Sequence, residues 1–135
     1  MAETGAERDV LRAFDALFEA LTAERDADAG TQLFAPDDDV VMWGSDEPEQ
    51  ALGLVAVGAL HRGIAAFSGS LAFRWRERHV HVEGDAAWVN AAGELTVDSP
   101  GAEPRTNPYR LTAVFVRRDS RWRWHTFSGS EPAPS

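Results

Sequence analysis

The stretch from Leu71 to Val89, Leu-Ala-Phe-Arg-Trp-Arg-Glu-Arg-His-Val-His-Val-Glu-Gly-Asp-Ala-Ala-Trp-Val, decides the fold. Leu71, Phe73 and Trp75 alternate with Ala72, Arg74 and Arg76, the two-residue period of a half-buried strand. Val80 and Val82 continue on the opposite parity, so a bulge is expected near residues 76–79. Glu83-Gly84-Asp85 predicts a hairpin turn into a second strand over Ala86–Val97. A loop rich in proline and glycine follows over Asp98–Asn107. Tyr109–Arg118 and Arg121–Ser128 then read as two more strands about a tight turn at Asp119-Ser120. Four long strands with a bulge cannot stay flat; they curl and leave a hollow lined by inward side chains.

Upstream the period changes to helical. Thr4 and Glu7 have capping-box spacing. Val10, Leu11, Phe14, Leu17, Phe18 and Leu21 recur at three- and four-residue steps and form one apolar face. Asp28 is read as the cap of a short second helix ending near Phe34. Pro36 with Asp37, Asp38 and Asp39 makes a solvated turn, and Val40–Trp43 a short strand. Residues 44–50 are a loop by composition, with Asp46, Glu47 and Glu49 at its mouth. Residues 51–67 suit the start of a strand and then a helix from Val55 to Phe67. Helices first and antiparallel strands afterwards argue for α+β, with the helices packed on one face of the sheet. The 135 residues make one domain over 1–135, with residues 128–135 as a partly frayed tail.

Composition removes whole classes of chemistry. Cysteine is absent, which excludes thiol catalysis, thiolate metal sites and disulfides. All 13 basic residues are arginine, so neither a Schiff-base lysine nor the lysine of a phosphate loop exists. The net charge of −9 is concentrated before Gln50. With no basic stripe, nucleic acid is a poor partner. No apolar run reaches the roughly 18 residues of a membrane span, so a cytoplasmic protein without a membrane partner is expected.

The motifs fall in a familiar order. Asp38–Gly44, Glu49 with Gly53, Glu83–Val89, Arg110-Leu111-Thr112 before Arg117–Trp122, and Ser128-Gly129-Ser130-Glu131-Pro132 span nearly the whole chain. Together they resemble the SnoaL-like branch of the nuclear transport factor 2-like superfamily. The resemblance implies a cone-shaped fold, with N-terminal helices on a strongly curved, mostly antiparallel sheet. It also implies chemistry without metal or cofactor where there is chemistry at all; a homodimer is expected because the exposed face of the curved sheet needs cover. Relatives often carry a histidine in the last strand where this chain has Ser128. The first helix offers Phe14 and Phe18 where ketosteroid isomerases place a tyrosine, so steroid isomerisation is not expected.

Side-chain alternation puts Trp122, Trp124, Thr126 and Ser128 on one face, which the resemblance turns into the cone. Arg110, Thr112, Val114 and Val116 share a face on the preceding strand. The expected pocket is therefore Trp43, Phe73, Trp75, Trp88, Asn90, Arg110, Thr112, Trp124 and Ser128; these rings otherwise fill the core or a dimer interface. Arg110 recognises an acidic ligand, pairs internally with Glu94 or Asp98, or stands as a rim arginine in water. Glu94 and Asp98 are the candidate catalytic bases if their face is inward, and ordinary surface acids if Val89, Leu95 and Val97 point inward instead. His79 and His81 stand about 7 Å apart on one strand face, but no third ligand converges on them, so no metal site is expected. His61 reads as a helix-surface residue.

These features give three functions. The first is a small-molecule-binding protein with an aromatic-lined pocket. The second is a cofactor-free isomerase, cyclase or hydratase using Glu94 or Asp98, with Arg110 and Ser128 as polarising donors. The third is a homo-oligomerisation module, since the closing motif also resembles the association domain of calcium/calmodulin-dependent kinases.

Overall fold

A computed structural model describes residues 4–46 and 48–133. Glu47 and the last two residues of the expected tail lie outside the described residues.

The capping box closes as its spacing requires: Thr4 N–H donates to Glu7 Oε1 at 2.7 Å, and Glu7 N–H donates to Thr4 Oγ1 at 3.1 Å. Helix α1 runs over Gly5–Phe18 and buries Val10, Leu11, Phe14 and Leu17. It passes into a π-helical turn, Glu19–Ala23, where the Thr22 hydroxyl donates to the Phe18 carbonyl at 2.6 Å. The turn ends at Arg25, whose φ is +53°, and the Arg25 guanidinium then binds the carbonyls of Phe67 and Gly69. Helix α2, Ala27–Gln32, is capped by Asp26, two residues before the expected Asp28.

Strand β1 covers Val41–Trp43, β2 covers Gln50–Leu52, and helix α3 covers Leu54–Ala65. The long strands follow: β3, Ser70–Glu83; β4, Ala86–Asp98; β5, Arg105–Arg118; and β6, Arg121–Ser130. Residues 128–130 thus belong to a paired strand, where a fraying tail was expected. The six strands form one open sheet in the order β2-β1-β6-β5-β4-β3. Among the strand pairings of the described residues, only β1–β6 is parallel; an isolated parallel bridge also joins Phe34 to Trp124. Strands β2 and β3 are the two edges. No helix among the described residues is long and apolar enough to cross a membrane.

The core lies between the helices and the inner face of the sheet. Ala87, Val89, Ala91 and Leu95 of β4 point inward, as do Tyr109, Leu111, Ala113 and Phe115 of β5. Trp124 is fully buried against Phe14, Phe34, Phe115 and Phe127, and its Nε1–H donates to the Ala13 carbonyl at 2.9 Å. Burial of one such ring stabilises by about 3 kcal/mol, provided its N–H finds a partner.

Two bulges shape the sheet. The expected one lies in β3, between Trp75 and Glu77. The second was not foreseen: in β6, Thr126 pairs with Val114 and Trp124 with Phe115, so His125 is the extra residue. Parity in β6 therefore reverses at His125. Trp124 and Phe127 face the core, while Thr126 and Ser128 face outward.

Opposite the first bulge, β4 passes so close to β3 that a Cβ on Gly93 would collide with the Arg74 carbonyl. Gly93→Ala is therefore expected to destabilise the fold by about 1–3 kcal/mol, through overpacking against backbone. Urea unfolding measures this, and an unchanged midpoint would show that the two strands have room to part.

Candidate functional site

Between the helices and the inner sheet face lies a cavity of about 590 Å³. Its walls are mostly apolar: Phe18 and Leu21 from the first helical segment, Leu60 and Ile64 from α3, and Leu71, Phe73, Leu95 and Phe127 from the sheet. The π-helical turn thus borders the cavity, a location where such turns often occur.

One end is polar. Ser45, Asp46, Glu49, Tyr109 and Glu131 gather there. The strand register brings them together. Ser130 of β6 pairs with Arg110, which sets Glu131 beside Tyr109; Trp43 pairs with Ser128, which continues to Asp46 beside Glu131. Two glycines provide the floor. Gly44 and Gly129 are neighbours one step beyond the Trp43–Ser128 pair, about 4.8 Å apart across the ladder. A Cβ on Gly44 would meet the Glu49 carboxyl at 2.8 Å, and one on Gly129 would collide with the Tyr109 hydroxyl. Glu49 and Tyr109 therefore lie flat over the two glycines, side by side on the inner face.

Their environment perturbs both groups. Burial pushes the Glu49 carboxyl above its usual range, the charges of Asp46 and Glu131 add to this, and the hydrogen bond from Asp46 N–H at 3.0 Å opposes it. Tyr109 is only 3% exposed, and burial raises its phenol further, helped by Glu49, Glu131 and Asp46.

The structure separates the residues expected to form the pocket. Phe73 lines the cavity. Trp75 and Trp124 also face inward, but they are packed in the aromatic core and do not line it. Trp43, Trp88, Asn90, Arg110, Thr112 and Ser128 lie on the opposite, outer face, where the Thr112 hydroxyl donates to Asn90 Oδ1 at 3.1 Å. The His125 bulge is the cause: carrying the inward face from Trp124 to Ser128, and across to Thr112 and Arg110, passes through a parity reversal. Glu94 and Asp98 are outward too, with Leu95 inward, and Glu94 meets Arg76 at 3.5 Å. Neither carboxylate lines the cavity, and Arg110 borders a separate outer recess with Arg76, Asn107 and Glu131. In the sequence Glu49 reads as a loop-mouth residue and Tyr109 as the first residue of a strand. The glycines beneath them were the available signal.

His61 is fully buried on α3, not on the helix surface as expected. Its Nδ1 lies 2.9 Å from Thr31 Oγ1, and the Thr31 hydroxyl donates to the Ala27 carbonyl at 2.9 Å. That assigns the ring proton to Nδ1. Nε2 rests 3.1 Å from the sulfur of Met42, a cavity residue. Elsewhere, ligand atoms of Asp37, Asp39 and His125 lie within 4.8 Å of one another. Arg118 already binds Asp37 at 2.9 Å, and His125 binds Asp39 at 3.1 Å. His79 and His81 pair with Glu77 and Glu83, each at 2.9 Å.

A family model for the SnoaL-like domain matches residues 10–134. The chain belongs to the SnoaL-like domain family. Solved structures agree on the fold of this SnoaL-like domain. A nuclear transport factor 2-like protein of unknown function from Pseudomonas putida shares 21% identity over 99% of this chain and 92% of its own, with a TM-score of 0.79. A nuclear transport factor 2 superfamily protein from Salmonella enterica shares 14% over 96% and 92%, with a TM-score of 0.81. A ketosteroid isomerase-like protein from Erwinia carotovora shares 18% over 98% and 100%, with a TM-score of 0.76. At these identities the likeness of the SnoaL-like domain to them is one of fold. No curated protein matches the sequence significantly.

Burial holds the His61 imidazole neutral, with its pKa lowered from 6.5 to about 4. Between those values the unfolded chain binds a proton that the folded chain refuses, so stability is present above about pH 6.5 and is lost as pH falls toward about 4. The loss attributable to His61 is of order 3 kcal/mol. His61→Asn should lower stability at neutral pH and remove this part of the slope. Thermal melts of both proteins from neutral to acid pH test it; parallel curves would clear His61 of the effect.

Proposed function

We propose that this SnoaL-like domain binds a small, largely apolar organic molecule in the inner cavity, as a homodimer. The single observation that carries the binding role is the cavity itself. Its volume of about 590 Å³ lies inside the range of roughly 300–1,000 Å³ typical of ligand sites. Apolar walls with a few convergent polar groups at one end are the usual composition of such sites, since the walls supply affinity and the polar end orientation.

A second reading draws on Glu49 and Tyr109. A carboxyl raised by burial beside a neutral phenol can move a proton next to a carbonyl while the phenol donates to the developing oxyanion. Under that reading the protein is a cofactor-free acid–base enzyme, with Glu49 in the role first sought in Glu94 and Asp98. The Erwinia structure named ketosteroid isomerase-like has the same fold, which is permissive for such chemistry and does not specify it. Turnover of the bound molecule distinguishes the enzyme from the binder.

The outer sheet face supports the dimer reading. Trp43 is 48% exposed, Leu52 67% and Trp88 39%, and the strand register lines them up with Val114 and Thr112. A second copy of the same face would cover this apolar band.

Native mass spectrometry of gently purified protein is expected to give a dimer carrying an organic passenger. Leu95→Trp, which pushes an indole into the cavity, should leave the dimer intact and empty. A passenger retained at unchanged occupancy would place it elsewhere. Trp88→Glu should convert the dimer to monomer at micromolar concentration, read by sedimentation velocity. Wild-type protein sedimenting as a monomer would refute the dimer.

A further inference from the structure

The chemistry of the cavity's polar end specifies the head group of its ligand, an inference that rests on the binding role proposed above. Asp46, Glu49 and Glu131 converge on the Tyr109 hydroxyl. Among the described residues, none of the three forms an ion pair. Glu49 accepts one hydrogen bond, from Asp46 N–H, which leaves most of its acceptor capacity open. The Tyr109 side chain is nearly fully buried, lies on the cavity wall, and makes no hydrogen bond among the described residues. Arg105, the one arginine on that wall, is four residues along β5 from Tyr109, about 13 Å away.

This end therefore has an excess of negative charge and unused acceptors; Arg105 lies farther along the same wall, and Arg110, which shares a recess with Glu131, belongs to the outer face. A carboxylate or phosphate placed there would face three acids. A carbonyl would take the Tyr109 proton but leave the acids uncompensated. An ammonium group answers every feature at once: it has three donors, a positive charge, and a size that the glycine floor accommodates. We propose that the cavity takes an organic cation, an apolar molecule ending in a protonated primary amine. The ammonium donates to Glu49 and to the Tyr109 oxygen, while Asp46 and Glu131 supply longer-range attraction. The tail lies along Phe73, Leu95 and Phe127. Phe73, which meets Tyr109 edge-on at 5.3 Å, adds an aromatic face close to the cation.

Three probes of one shape and different heads test this: n-octylamine, n-octanol and n-octanoate, titrated by calorimetry at about pH 8, where the amine is charged and the carboxylates are ionised. The amine is expected to bind roughly tenfold more tightly than the alcohol, as a charge-assisted hydrogen bond allows, with octanoate weakest. Glu49→Gln preserves shape and the bond from Asp46 N–H. It should erase the amine's advantage while leaving octanol affinity within about twofold, and octanol binding serves as the check that the variant is folded. Tyr109→Phe should weaken the amine by a smaller factor. Octanol or octanoate binding as tightly as the amine, or an amine advantage that survives Glu49→Gln, would overturn the cation assignment and leave the cavity's binding role standing. Failure of all three probes to bind would overturn both.

Discussion

The burial of Trp124 is the constraint on which the other features hang. Its backbone N–H donates to Leu33 at 2.8 Å, its carbonyl accepts from Ala35 at 2.8 Å, and its indole N–H reaches Ala13 at 2.9 Å. One residue thus joins β6 to the segment after α2 and to α1, with its ring stacked between Phe14 and Phe34. A residue held by its backbone on both sides and by its indole cannot turn outward to suit its strand. The strand yields instead, and the extra residue is absorbed at His125. Beyond that point Phe127 turns inward and Gly129 slides beneath Tyr109. The cavity's polar end depends on a bulge that exists because an indole is fixed upstream.

Much of the architecture was legible in the sequence because it rests on periodicity and turn chemistry. The apolar stripe of α1, the Thr4–Glu7 box, the change of parity in β3 and the turn at Asp119-Ser120, where both residues adopt positive φ, are each written in a few adjacent residues. The β3 bulge could be read because apolar residues stand on both sides of it with opposite parity. The His125 bulge could not. Trp122, Trp124, Thr126 and Ser128 continue a plausible alternation straight through it, and the aromatic Phe127 is the only discordant position. A one-residue slip moves every later side chain to the other face. The error spread from Ser128 to Thr112, Arg110 and Asn90 because each was placed by its neighbour. Glu49 and Tyr109 were illegible for a different reason. Glu49 stands 60 residues before Tyr109 and 80 before Gly129; the parallel β1–β6 pairing brings it to them, and no local pattern announces a parallel neighbour.

The two faces of the sheet have separate roles as a result. The inner face gives up side-chain volume at Gly44 and Gly129 so that a half-buried carboxyl and a buried phenol can lie side by side. Burial is the first influence on the protonation of both; for Glu49 the hydrogen bond from Asp46 N–H comes next and opposes it, ahead of the neighbouring charges. The outer face keeps its tryptophans. Trp88 stacks on His81 with ring centres 4.6 Å apart, so aromatic residues that look like pocket walls in sequence are surface rings in space. Composition alone, five tryptophans in one small domain, does not distinguish the two.

The open sheet leaves β3 as a free edge fourteen residues long, and this bears on how the protein behaves when crowded. An unpaired strand of that length is a template for any passing chain. Here the template is spoiled along its length: Arg74, Arg76, Glu77, Arg78 and Glu83 line it with charge of both signs, and the bulge at Arg76 breaks its hydrogen-bonding rhythm. Strand addition at this edge would have to desolvate those charges and match an irregular ladder. Fibrillar growth is thereby disfavoured at its natural starting point, the one long edge that the open sheet presents.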